Sequence, residues 1–90
     1  MLKKYRSKIG LVYATAMEVT SEFIKSPPKE FMDDTKNVFL QRAGNKLYMY
    51  YKLEGDSYPV EEGDMVGFSD LDELSVWGGV LFKKGFKELK

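Results

Sequence analysis

The sequence predicts an α+β fold: a small, strongly curved, mostly antiparallel sheet or partly open β-barrel with one or two short helices. Three observations carry that expectation. Residues 9–19 form a β-branched and aromatic run, residues 37–53 carry a hairpin signature, and an aromatic share of 14% supplies enough area per side chain for a small β-rich core. Ninety residues make a single domain, 1–90, near the size at which a chain buries only about 60 to 65% of its unfolded surface.

From Ile9 to Val19 the larger side chains fall at odd positions (Ile9, Leu11, Tyr13, Met17, Val19) and small ones at even positions (Gly10, Ala14, Ala16). This alternation predicts a long buried strand with one bulky face and one face against which something packs closely. Thr20 and Ser21 offer an N-cap for a helical turn over Glu22 to Lys25, which Ser26-Pro27-Pro28 ends or redirects. Alternatively Ser26 caps a second turn from Pro27 through Met32, since proline suits a first turn. In either case 20–36 is the irregular stretch.

The sharpest local signal follows. Asn37 to Arg42 and Leu47 to Leu53 flank Ala43-Gly44-Asn45-Lys46, and a two-residue Gly-Asn loop tolerates the positive φ of a tight hairpin. Counting outward pairs Arg42 with Leu47, Gln41 with Tyr48, Leu40 with Met49, Phe39 with Tyr50 and Val38 with Tyr51. One face then carries Val38, Leu40, Leu47, Met49, Tyr51 and Leu53 as core, and the other Phe39, Gln41, Lys46, Tyr48, Tyr50 and Lys52. After a turn at Glu54-Gly55, Ser57 to Val60 reads as a short strand that Pro59 confines to an edge or bulge. Glu61-Glu62-Gly63-Asp64 turns the chain into Met65 to Phe68, and Ser69-Asp70-Leu71-Asp72 has capping-box spacing or forms a polar loop. Ser75 to Trp77 is a strand ended by Gly78-Gly79, Val80 to Lys84 a helical turn, and Phe86 to Leu89 a last strand.

Charge is neutral overall but segregated. Residues 1–52 hold ten Lys/Arg against five Asp/Glu, residues 83–90 hold four against one, and between Lys52 and Lys83 stand eight carboxylates with no cation. Such a split concerns partners and steering rather than fold. With no Cys the chain has no disulfide scaffold or thiolate metal site, and with no His it lacks the commonest general base near pH 7 and the usual imidazole ligand. These absences point away from an enzyme, a cofactor and a metal. No apolar run reaches the roughly 20 residues that span a bilayer, and Met1-Leu2-Lys3-Lys4-Tyr5 is too polar to begin a signal peptide. A cytoplasmic protein without a membrane partner is the expectation.

Lys3-Lys4-Tyr5-Arg6-Ser7-Lys8 leading into an apolar strand, Leu53-Glu54-Gly55-Asp56, Gly63-Asp64 and the closing Leu81-Phe82-Lys83-Lys84-Gly85-Phe86-Lys87-Glu88-Leu89 occur in that order. Together they resemble a family of short bacteriophage and prophage proteins. Members open with a Lys-Tyr-Arg-Lys-Lys-Pro-type strand, carry a Leu-Glu-Gly hairpin and a Pro-Gly-Asp-Tyr turn, and end in an Ile-Phe-Glu-x-x-Tyr-type segment. Glu62 stands where the family has Pro, Met65 where it has Tyr, and Gly78-Gly79 where many members have Cys-Lys-Pro. The resemblance implies fold and phage origin, with a host macromolecule as the partner by analogy, and it implies no catalytic residue.

Three groups of residues are candidates for contact. Glu61, Glu62, Asp64, Asp70, Asp72 and Glu73 form an acidic surface that fits a basic groove on a host protein and would inhibit or modulate it by imitating nucleic-acid phosphate. Against this stand turn-forming roles for Gly63 and Asp64; Asp70 and Asp72 have ligand-like spacing but lack the ordered set of a calcium loop. Phe39, Gln41, Lys46, Tyr48, Tyr50 and Lys52 interleave rings and cations as nucleotide and single-strand nucleic-acid platforms do, unless another element covers them. Lys3, Lys4, Arg6 and Lys8 can grip phosphate, or can guard a strand edge against aggregation.

Overall fold

A computed structural model describes residues 2–10, 12–69 and 73–89. In chain order the elements are β1 (Lys3–Ser7), β2 (Tyr13–Glu18), α1 (Ser21–Lys25), a 3-10 turn (Lys29–Phe31), β3 (Val38–Ala43), β4 (Lys46–Tyr51), β5 (Asp56–Val60), β6 (Met65–Ser69), β7 (Leu74–Trp77), α2 (Gly79–Gly85) and β8 (Phe86–Glu88). The fold is α+β, and its antiparallel strands are shared between two sheets, neither of which closes into a barrel. The chain divides into two compact units, Met1–Glu18 with Gly63–Lys90, and Val19–Glu62.

The unit formed by the two chain ends is a five-stranded sheet in the order β7-β6-β2-β1-β8. Its first hairpin differs from the expected long strand. Ser7 N donates to the Val12 carbonyl at 2.8 Å, so the chain reverses between them and the strand expected from Ile9 begins at Tyr13. Ile9 consequently sits at the turn, 97% exposed. The small-residue face behaves as its pattern predicts: Ala14 and Ala16 are buried with Met65 and Phe82, and Tyr5, Trp77 and Phe86 pack against that cluster. Phe82, from α2, stacks on Phe86 with centroids 4.5 Å apart and meets the Tyr5 ring edge-on at 4.8 Å. Burial, then the nearby Glu88 and Glu18 carboxylates, pushes the Tyr5 hydroxyl above its ordinary pKa. Gly67 pairs with Ala16, and a Cβ there would collide with the Thr15 carbonyl and stand 2.6 Å from Ala16 Cα.

A second correction concerns the basic start of the chain. β1 is bonded to β2 on one side and β8 on the other, so its lysines guard no sheet edge. The pairing that places it there joins Tyr5–Ser7 to Phe86–Glu88, which no local pattern announces.

The unit Val19–Glu62 begins as the capping residues predict. Thr20 is the N-cap of α1, its Oγ1 accepting from Phe23 N at 3.2 Å and satisfying one of the free donors of a helix start. Beyond the prolines only the 3-10 turn forms, within the stretch expected to be irregular. In the three-stranded sheet β3-β4-β5 the pairing of β3 with β4 follows the expected register residue for residue, turning through Gly44 at φ 64°. β5 is an edge strand, as Pro59 requires. Val38, Leu40, Leu47, Met49 and Val60 are buried, as are Phe23 and Phe31, whose rings lie 5.8 Å apart. Arg42 Nη1 donates to the Lys25 carbonyl at 2.8 Å and ties the end of α1 to β3. Leu53, expected in this core, is 78% exposed, because β4 ends at Tyr51 and Gly55 N closes a turn on the Tyr51 carbonyl at 2.8 Å.

Candidate functional site

Strand pairing assembles the aromatic face of the hairpin. Phe39 lies opposite Tyr50, Gln41 opposite Tyr48 and Ala43 opposite Lys46, while β5 adds Pro59 beside Tyr48 and Ser57 beside Tyr50. Because directly paired residues point to the same side of a sheet, these side chains share one surface. Phe39 is 5% exposed and takes the Tyr50 ring edge-on at 5.4 Å, so it is a floor and not a stacking platform. Tyr48 and Tyr50 remain half-buried, and Gln41, Lys46 and Ser57 are exposed.

Beside Tyr48 the surface is concave. A groove of about 640 Å³ is lined in part by Met32, Asp34, Phe39, Gln41, Tyr48 and Ser57. Its far rim is held by short-range polar bonds. Asp33 Oδ1 accepts from Thr35 N at 3.0 Å and from Thr35 Oγ1 at 2.6 Å, and these bonds hold the Asp33 carboxyl below its ordinary pKa. Lys52 Nζ donates to the Asp34 carbonyl at 2.7 Å, so Lys52 braces the rim. Of the six residues expected on this face, Phe39, Gln41 and Tyr48 line the groove, Tyr50 packs on its floor, and Lys46 stands exposed opposite Ala43. Met32, Asp34 and Ser57, with Leu40, Arg42 and Ala43 of β3, are the lining residues that sequence reasoning missed. Asp33-Asp34-Thr35 carries a side-chain-to-backbone turn pattern that would have flagged the rim, and extending the register across Glu54-Gly55 would have found Ser57.

A half-exposed phenol flanked by an amide, a hydroxyl and a carboxylate can stack one planar ring and hydrogen-bond its edge. The acidic residues are arranged otherwise. Glu61 and Glu62 are exposed after β5, in the unit Val19–Glu62, whereas Asp64 and Glu73 belong to the other unit, before β6 and β7. Asp70 and Asp72 lie outside the described residues. Glu61 and Asp64 already interact within the protein, while Glu62 and Glu73, like the exposed Glu54 and Asp56 that flank the start of β5, form no ion pair among the described residues. No group of three or more His, Cys, Asp or Glu among the described residues has an arrangement that would hold a metal ion, and no helix there is long and apolar enough to cross a membrane.

Comparison with protein-family models, with curated proteins and with solved structures finds no match.

Proposed function

We propose that this chain is a non-catalytic binding module that takes a nucleobase, in a nucleotide or a single strand, on the hairpin surface of the unit Val19–Glu62. The supporting observation is the groove beside half-exposed Tyr48, with Gln41 and Ser57 on the same sheet face and Asp34 on the rim. The base would stack on Tyr48 and present its polar edge to Gln41 and Ser57, and Lys46 would meet phosphate outside the groove. Replacing Tyr48 with Ala is expected to weaken binding of an oligothymidylate by about fivefold to 150-fold, since one stacked base contributes about 1 to 3 kcal/mol. Anisotropy of a labelled strand measures this; an unchanged affinity would remove the reading.

A second reading uses the acidic residues. Glu54, Asp56 and Glu62 are exposed at the two ends of edge strand β5 and form no ion pair among the described residues, which favours a basic protein partner there. The resemblance to short phage proteins makes a host or defence factor in the bacterial cytoplasm the natural candidate, inhibited or modulated by this acidic contact. Under this reading Glu54→Lys, Asp56→Lys and Glu62→Lys together abolish capture of a host protein from lysate while circular dichroism stays unchanged. The same proteins recovered with wild-type and variant bait would rule it out.

A further inference from the structure

The sheet of the unit Met1–Glu18 with Gly63–Lys90 carries a cationic face with no guarding role to explain it. Pairing defines that face: Arg6 lies opposite both Tyr13 on β2 and Lys87 on β8, and Lys4 lies opposite Thr15. Leu89 N donates to the Lys4 carbonyl at 2.8 Å, which continues β8 alongside Lys4. Lys4, Arg6 and Lys87 therefore project from one side of the sheet, with Tyr13 among them. Arg6 and Lys87 are like charges in direct register, an arrangement that destabilises a sheet. Glu88, the carboxylate next to Lys87 in the sequence, points to the opposite face and meets Lys3 at 3.9 Å.

Lys4, Arg6, Lys8 and Lys87 are all exposed, and none forms an ion pair among the described residues. Lys8 Nζ donates to the Lys83 carbonyl at 3.3 Å. The Arg6 guanidinium carbon stands 6.0 Å from the centroid of the Tyr13 ring, which is 44% exposed. A groove of about 540 Å³ lies along this region, lined by Arg6, Ser7, Lys8, Gly10, Lys87 and Leu89, with no carboxylate among the described residues of its wall. Three cations in one wall repel one another until an anion enters, so the surface is complementary to a polyanion.

We infer that this face binds the phosphodiester backbone of a single nucleic-acid strand. Alternate residues on one strand stand about 6.7 Å apart, so Lys4 and Arg6 form a row that Lys8 extends and that Lys87 widens from the neighbouring strand. A row in an open groove suits successive phosphates better than one isolated phosphate, and an exposed ring beside Arg6 suits an unpaired base. This site is separate from the hairpin groove and does not depend on it. An anionic bilayer is the competing partner, because Ile9 is exposed at the tip of the same hairpin.

The test uses the full chain with two labelled strands of about 12 nucleotides, an oligothymidylate and an abasic strand of equal length, titrated over a salt series. Both are expected to bind, because the backbone alone satisfies this face. Combined Lys4→Gln, Arg6→Gln and Lys87→Gln should weaken both strands and flatten the plot of log affinity against log salt by about 2, at about 0.7 for each phosphate no longer neutralised. Tyr48→Ala should weaken only the oligothymidylate, which separates failure of this site from failure of the hairpin groove. If the triple variant does not fold, Lys87→Gln alone should flatten the slope by about 0.7. A wild-type slope in the variant, no binding of the abasic strand, or binding to phosphatidylserine vesicles but to neither strand would each overturn the inference.

Discussion

Replacing Gly67 with Ala is expected to cost about 3 kcal/mol or more, the upper end of what overpacking does. A single methyl is enough because of where β6 runs. Gly67 is buried opposite Ala16, and its missing Cβ would meet the Thr15 carbonyl and carbon, the latter at 2.8 Å. Those are backbone atoms of a strand bonded on both sides, and they cannot rotate aside as a side-chain end would. Gly78→Ala is the control, since a Cβ there meets nothing within 4 Å and its φ of −59° suits alanine. Denaturant midpoints measure both, and a Gly67→Ala protein as stable as wild type would show that β2 and β6 are not held this closely.

The second large effect belongs to Phe82. Phe82→Ala should destabilise by about 3 to 5 kcal/mol, a large part of the stability of a small domain. The ring is 2% exposed and joins three other aromatics: Phe86 at 4.5 Å, Tyr5 at 4.8 Å and Trp77 at 5.1 Å. Its loss leaves a cavity between α2 and the sheet that fixed strands cannot fill. Trp77 gives an independent readout, because its emission should shift to the red as water reaches the indole. Leu81→Ala, one residue earlier but 75% exposed, should change stability by less than about 0.5 kcal/mol. Equal effects from the two substitutions would mean that α2 does not present Phe82 to the core.

How legible each feature was depends on how far apart its determining residues are. The hairpin of β3 and β4 needed only the Gly44-Asn45 turn, because a two-residue loop leaves one register and the register assigns every face. The cap at Thr20 and the edge position of β5 were equally local, each following from one residue's own chemistry, a hydroxyl in the first case and a ring without N–H at Pro59 in the second. Leu53 shows the limit of counting: alternation continued past Tyr51, but the backbone had already turned. The candidate groove was half legible. Gln41 and Tyr48 followed from the register, whereas Asp34 reached the rim through an Asp33–Thr35 turn that alternation does not encode.

The sequence by itself determined the short-range parts of this protein: its α+β class, the helix cap, the hairpin register, and a charge distribution with acids in the middle and cations toward both ends. Tertiary structure decided what those charges face. β1 pairs with β8 across some eighty residues, and that pairing puts Arg6 beside Lys87 on a central strand rather than along an edge. Within the unit Val19–Glu62, packing buries Phe39 while leaving Tyr48 half open, and the described acidic residues are shared between the two units. The physical reason is common to all of these. Turns and caps are settled by the chemistry of adjacent residues, whereas β1 and β8 find one another through the pairing that packs Phe86 and Trp77 against Phe82, and that choice belongs to residues far apart in the chain.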